Sequence, residues 1–331
     1  MDRLRAAVAG IVTLALTGAP ALAQRQSFAI ATGSTAGTYF PMGELIAGIV
    51  SHPQGLDRCD TRAVCGPPGL IVSARTSDGA VSNLLEVNAG LIDSALAEGN
   101  VVADAVAGRG AFRHVGKQGH VRVIADLFPE EMQLVAAAGS HIASVGDLGG
   151  KRVSLGNPGS GAQILAEQIL SAYGVRVKIV RADYEASAKA LGNRTLDAFF
   201  FLGGTPAPLV RDLLLRGAHL VPLDGKGRAR LLRRIPSLAS DTIAAGDYRG
   251  VGAVATISCR SLWIVSDAVP ADTVYGLVRA LYHPANRAAL AAGPPAALHI
   301  RLDEAASGLT APLHPGAERF YREAGRLPAI R

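Results

Sequence analysis

The stretch Phe28-Ala29-Ile30-Ala31-Thr32-Gly33-Ser34-Thr35-Ala36-Gly37-Thr38-Tyr39-Phe40-Pro41-Met42-Gly43 decides how the chain is read. Phe28, Ile30 and their alanine neighbours form a short apolar run suited to a buried strand. Gly33 to Thr38 then supply a polar turn from which a helix starts near Pro41. N–H groups and hydroxyls presented at such a turn favour a small anionic or zwitterionic group at the helix N-terminus. The same glycines also fit a tight strand-to-helix turn that holds no ligand, so the rest of the chain has to decide.

The device recurs. Leu70 to Ala74 reads as a strand, Arg75 to Ala80 as a turn, and Val81, Leu84, Leu85 and Val87 as one face of a helix that Thr76, Ser77 or Asp78 can cap. Leu91 to Ala97 reads as a third strand, with Glu98-Gly99-Asn100 at its end and a helix starting at Val101. Ligands in open α/β sheets collect outside such strand ends, so three polar turns from separate strands converge on one expected site.

The 331 residues are 49% apolar and 18% charged, enough for two α/β domains and also compatible with one large one. Met1 to Arg5 are basic in balance, Ala6 to Ala19 are apolar or small, and Ala21-Leu22-Ala23 precede Gln24. That is the pattern of a secretory leader over residues 1–23, too short for a membrane span, and it predicts a soluble periplasmic chain starting near Gln24. Gln24 is not a cysteine, so no lipid anchor is expected there. The formal net charge of +6 is mild. The densest basic cluster, Arg230, Arg233 and Arg234, has no interleaved aromatics and reads as a solvated helix face, so nucleic-acid binding is not expected.

Cys59 and Cys65 lie in a loop rich in glycine and proline, where an oxidising compartment allows a disulfide. Cys259 is left over as a buried small side chain. His114 and His120 are too isolated to suggest a zinc site, and no cofactor is expected.

Val121 to Leu127 and Met132 to Ala138 read as two strands separated by the polar break Phe128-Pro129-Glu130-Glu131, which is taken as a crossing between lobes. The expected division is residues 24–130 for the first part of lobe one, 131–250 for lobe two, and 251–331 for a return to lobe one with C-terminal helices. In the second lobe Asn157-Pro158-Gly159-Ser160-Gly161 repeats the glycine-rich turn before a helix. It lacks both the Gly-Lys-Ser/Thr ending of a nucleotide P-loop and the dinucleotide glycine spacing. Its amides and Ser160 fit a carboxylate, or simply a capped helix. Phe199, Phe200 and Phe201 end a strongly apolar strand broken by Gly203-Gly204-Thr205-Pro206. Phe201 is a candidate cleft wall, and Gly204 and Thr205 are better placed.

Together these segments resemble the TAXI-type solute receptors of tripartite ATP-independent periplasmic (TRAP) transporters. The resemblance rests on residues 32–43, Gly79-Ala80-Val81-Ser82-Asn83, Asp147-Leu148-Gly149-Gly150-Lys151-Arg152-Val153-Ser154 and Asn157 to Gly161. It continues through Leu196-Asp197-Ala198-Phe199-Phe200, Gly204-Thr205-Pro206 and residues 312–321, in order over nearly the whole mature chain. It implies an α/β, two-lobed periplasmic binding protein fold of type II-like, Venus-flytrap form with an interdomain ligand cleft. The implied ligand is a small organic anion or amino acid, glutamate-like or dicarboxylate. The implied partners are the small and large TRAP membrane subunits, often fused, and the receptor itself is expected to be monomeric.

Carried over residue by residue, the first polar loop falls on Gly33, Ser34, Thr35 and Tyr39, the second on Thr76, Gly79 and Asn83, and the second-lobe anion loop on Gly159, Ser160 and Gly161, with Asn157 beside it. The chain departs from the resembled pattern at Ala80, at Ala162 and at Glu98-Gly99-Asn100, where a glutamine, a small residue and an aspartate are common. An anion near Glu98 meets like charge unless Glu98 is protonated or turned away. Catalysis would need a nucleophile, a base and an orienting group, and no motif joins Ser160 to His141 or His314. A secreted signalling or adhesion module without a small ligand is the other class left open.

Overall fold

The computed structural model describes residues 26–59 and 64–328; the leader read at residues 1–23 lies outside them. The first half is built from β1 (Gln26–Ala31), α1 (Tyr39–Val50), β2 (Leu70–Arg75), α2 (Ala80–Asn88), β3 (Ser94–Glu98) and α3 (Gly99–Ala107). β1 runs parallel to both β2 and β3, so the turns after all three strands open on the same sheet edge. α1 begins at Tyr39, earlier than its apolar run suggests. It buries Tyr39, Met42, Gly43, Ile46, Ala47, Ile49 and Val50, a stripe at helical spacing.

β4 (Val121–Ala136) is one unbroken strand of 16 residues, where the sequence reads as two strands and a polar break. Phe128 to Glu131 stay in the sheet because they pair antiparallel with Ser258 to Ser261 of β10 (Val254–Ser266). This backbone ladder outweighs the local polarity and the missing N–H of Pro129, which lies opposite Arg260. Register shifts between Ser261 and Leu262 and between Trp263 and Ile264 mark where this two-strand ribbon is irregular, a feature that sharpens strand twist.

The second lobe follows as β5 (Arg152–Ser154), α4 (Gly161–Tyr173), β6 (Lys178–Val180), α5 (Tyr184–Gly192), β7 (Ala198–Gly203), α6 (Pro208–Leu214), β8 (His219–Val221), α7 (Gly225–Arg234) and β9 (Ala239–Ile243). After β10 the chain returns to the first lobe with α8 (Ala271–Leu281), α9 (Arg287–Ala291) and α10 (Pro315–Glu323). The sheet order is β2-β1-β3-β10-β4-β7-β5-β6, with β8 also on β4 and β9 also on β10. Both lobes therefore hang on the same two strands.

Each lobe has its own core. Alternating residues of β10 serve the two faces of the first lobe: Trp263 and Val265 pack with Phe28, Met42, Ile46 and Tyr321, while Leu262 and Ile264 pack with Leu84, Val102 and Phe112. The second lobe buries Leu134, Val153, Leu165, Ile169, Phe199, Phe200 and Ile257. The tail is tied back through Tyr321, whose hydroxyl donates to the Ile124 carbonyl at 2.7 Å. His314 accepts from Gly316 N–H at the start of α10 and is a capping residue. Cys59 and Cys65 are joined by a disulfide, with Cα atoms 5.3 Å apart, and Cys259 is a buried free thiol.

Where β4 and β10 leave the first lobe, the fully buried Asp126 carboxylate accepts from Arg260 Nε at 2.7 Å and from Gly308 N–H at 3.0 Å. Arg260 is partly exposed and also meets Glu304 at 3.4 Å, so losing Asp126 leaves its donors only partly unmet. Asp126→Ala is therefore expected to lower unfolding stability in urea by about 1–3 kcal/mol. A loss below about 1 kcal/mol would show that the pair does not hold the ribbon to the C-terminal loop.

Candidate functional site

The turns after β1, β2 and β3 face the start of α4 across a narrow cavity of about 40 Å³. Its walls include Gly33, Ser34, Thr38 and Tyr39 from the first turn, Asp78 and Gly79 from the second, and Glu98 from the third. Asn157, Ser160, Ala162 and Tyr184 come from the second lobe, and Glu130 from β4 forms the floor.

The lobes touch on either side of this cavity. A Cβ on Gly79 would lie 3.0 Å from Ser160 Cβ, and Gly79 itself has φ +112°, a backbone that only glycine adopts freely. Any side chain at Gly161 would overlap the Glu98 carboxyl. Farther round, Gly204 N–H donates to Thr38 Oγ1 at 3.1 Å, joining α1 of the first lobe to the end of β7.

The predicted residues divide by position. Gly33, Ser34, Tyr39, Gly79, Glu98, Asn157 and Ser160 line the cavity. Thr35 and Thr76 line, with Arg75, an outer groove that shares Gly33, Ser34, Asp78 and Asn157 with the cavity and is taken as its mouth. Ser160 caps α4: its hydroxyl donates to the Asn157 carbonyl at 2.6 Å and accepts from Gln163 N–H. Gly159 is exposed, and its N–H donates to Gln163 Oε1 at 2.7 Å. Asn83 is buried away from the cavity, where its amide donates to the carbonyls of Thr32 and Leu96 at 2.8 Å each and ties β1 to β3.

Phe201 is core, its ring tilted against that of Tyr184 with centroids 4.5 Å apart. With Gly204 it faces a separate, more apolar space beside Pro206 and Pro294. Thr205 donates to Glu131 Oε2 at 3.0 Å.

Sequence reasoning missed Thr38, Asp78, Tyr184 and, above all, Glu130. The available signal was two adjacent glutamates inside an otherwise apolar run of strand length. Glu130 is 2% exposed and its Oε1 accepts from Tyr39 Oη at 2.6 Å. Glu98 is 5% exposed, and its Oε2 has no hydrogen-bond partner among the described residues.

Burial out of water disfavours the charged form of both groups. The Glu98 carboxyl is pushed up to about 7, and Glu130 is raised well above the ordinary carboxylate range by burial and by the neighbouring Glu98 charge. Glu131 is also pushed up to about 7 by burial, partly offset by its bond from Thr205. No described lining residue is Lys, Arg or His. Among the described residues, no group of His, Cys, Asp or Glu side chains could hold a metal ion.

Carboxyls raised in the folded state bind protons more tightly there than in the unfolded chain, so stability falls as pH rises from about 4.5 toward 7 and levels off above. For Glu98 alone the fall is on the order of 3 kcal/mol. Glu98→Gln is expected to flatten the pH dependence of urea unfolding between pH 5 and 8. Identical profiles for the two proteins would contradict the burial of a neutral Glu98.

The chain is similar in structure to proteins of low sequence identity. A Bordetella bronchiseptica RB50 protein aligns with 89% of this chain and 82% of its own, at 16% identity and a TM-score of 0.48. The alkanesulfonate-binding protein SsuA from Xanthomonas axonopodis pv. citri aligns over 83% and 82% of the two chains, at 16% identity and a TM-score of 0.46. The binding protein component of an ABC phosphonate transporter from Pseudomonas aeruginosa aligns over 81% and 79%, at 12% identity and a TM-score of 0.47. The architecture is two α/β lobes hung on a shared strand pair. The model of the NMT1-like family matches residues 30–325, from the first strand to the last helix, and the chain belongs to that family.

Proposed function

We propose that this chain is a non-catalytic periplasmic solute receptor, exported by the leader at residues 1–23, that captures a small organic anion or amino acid and delivers it to the small and large membrane subunits of a TRAP-type transporter. The observation that carries the reading is the closed cavity between the polar turns of β1, β2 and β3 and the N-terminus of α4, with polar groups from both lobes on its walls. Ser34, Tyr39, Gly79, Glu98, Asn157 and Ser160 are the proposed contacts within it, with Thr35 and Thr76 at the mouth.

A solute that touches both lobes only when they are together shifts the population toward the closed form. The closed surface is then what the membrane subunits recognise. The two close glycine contacts, Gly79 on Ser160 and Gly161 on Glu98, allow that approach. Ser160 has its hydroxyl committed to capping, and His314 has its ring committed at α10, so neither joins in a nucleophile and base pair.

The test starts from chain unfolded and refolded to strip carried-over solute. Calorimetry against amino acids and mono- and dicarboxylates is expected to give saturable micromolar binding, and small-angle scattering a more compact particle with solute. Gly161→Ala, whose methyl overlaps the Glu98 carboxyl where the lobes meet, is expected to weaken binding at least tenfold and to abolish the compaction. Unchanged scattering at saturating solute would overturn the closure mechanism, and no binding across the panel would overturn the receptor reading.

A further inference from the structure

We propose that the solute of this cleft carries a primary ammonium group, which docks on Glu98 and Glu130, so that the cleft selects small ammonium-bearing solutes over dicarboxylates. The inference rests on the receptor reading above and narrows its ligand class.

The donor and acceptor inventory of the cavity carries it. Glu98 is 95% removed from solvent by the relative exposure of 5%, lines the cavity, and has one carboxyl oxygen, Oε2, without a partner among the described residues. Leaving such an oxygen unmet is costly, and the cost is relieved by a solute that brings a donor. Asn157 Oδ1 is a second buried acceptor on the same walls without a partner, and Glu130 brings a second carboxyl. An ammonium has three N–H donors and a positive charge, which matches these acceptors in kind.

Two of the groups expected to hold an anion are used elsewhere. Gly159 N–H is taken by Gln163, and the Ser160 hydroxyl donates to the Asn157 carbonyl. The start of α4, where an anion would be drawn by the helix dipole, is already faced by the Glu98 carboxyl packed on Gly161. The one basic residue of the outer mouth, Arg75, is exposed, and the cavity walls carry none. A dicarboxylate would add two negative charges beside two acidic groups, without a cation to offset them.

Among the described residues, the titratable groups around the Glu98 and Glu130 pair are acidic or neutral: Asp78 at the rim, Glu131 next to Glu130 on β4, Tyr39 on α1, Tyr184 on α5 and Cys259 opposite Glu130 on β10. In the empty cleft burial keeps protons on the carboxyl pair, so the two ligand classes have opposite proton linkage. An ammonium replaces a proton, which is released to the buffer. A dicarboxylate requires the pair to stay neutral and draws protons in.

Titration calorimetry of the refolded chain at pH 6.5, in buffers of low and high ionisation enthalpy, reads that proton directly. The probes are L-alanine, L-glutamine, ethanolamine, acetate and succinate. The expected result is binding of one or more ammonium probes with release of up to one proton. Affinity should rise up to tenfold per pH unit below about 7 and level off above. Glu98→Gln is expected to weaken that binding at least tenfold and to remove the proton release. The wild-type proton count stands as an independent test if the variant fails to fold.

Binding of succinate or acetate with proton uptake, and not of the ammonium probes, would overturn the inference and leave the receptor reading standing. Ammonium binding without proton release, or unchanged in Glu98→Gln, would overturn it too. No binding by any probe would remove both readings.

Discussion

The antiparallel pairing of β4 with β10 is the contact on which both lobes depend. Its first-lobe half carries Trp263, whose indole N–H donates to Ser94 Oγ at 3.1 Å and locks β10 to β3. Past its last pair the two strands run on into the second lobe, where Leu134 and Ile257 enter the other core. Between them, Glu130 and Cys259 are register partners. The cleft floor thus lies at the second-lobe end of this ladder, one pair from its last, Glu131 with Ser258, where the strands run on into the other core and a slip would unpack both. The cleft walls are turns and helix starts, which cost less to move.

That division explains the chemistry of the site. A carboxyl on a central strand is buried by the sheet itself, so Glu130 pays a desolvation cost that a surface glutamate avoids. Glu98 ends β3 and is covered from the opposite side by the start of α4. Two neighbouring acidic groups buried without a cation destabilise the empty closed form, and such groups persist where binding needs them. Tyr39 partly relieves Glu130 with its 2.6 Å bond, while Glu98 Oε2 is left for a solute.

Much of the frame was legible in the sequence because each half of it repeats one local device. The turns at Gly33, Gly79 and Glu98 follow parallel strands as their patterns suggest, and the loop cysteines pair. What was hidden came from tertiary pairing. Glu130 read as part of a polar break because nothing local reveals that Ser258 to Ser261 will pair with that segment and keep it in the sheet. Asn83 looked like a loop donor, yet its amide bridges the carbonyls of Thr32 and Leu96, which are 51 and 13 residues away. The short edge strand β9, Ala239–Ile243, went unread because its mostly exposed residues carry no apolar alternation. Phe201, read as a candidate cleft wall, packs its ring at a tilt against Tyr184 in the second-lobe core.

The central claim is that the cleft holds a buried, neutral carboxyl pair without a cation. The most direct measurement is a carbon-13 NMR titration of glutamate side-chain carboxyls in the refolded, solute-free chain, with Glu98 assigned by comparison with Glu98→Gln. The account requires a Glu98 midpoint near 7. A midpoint near the ordinary value of about 4.3 would mean that Glu98 is solvated or already paired, and would contradict it.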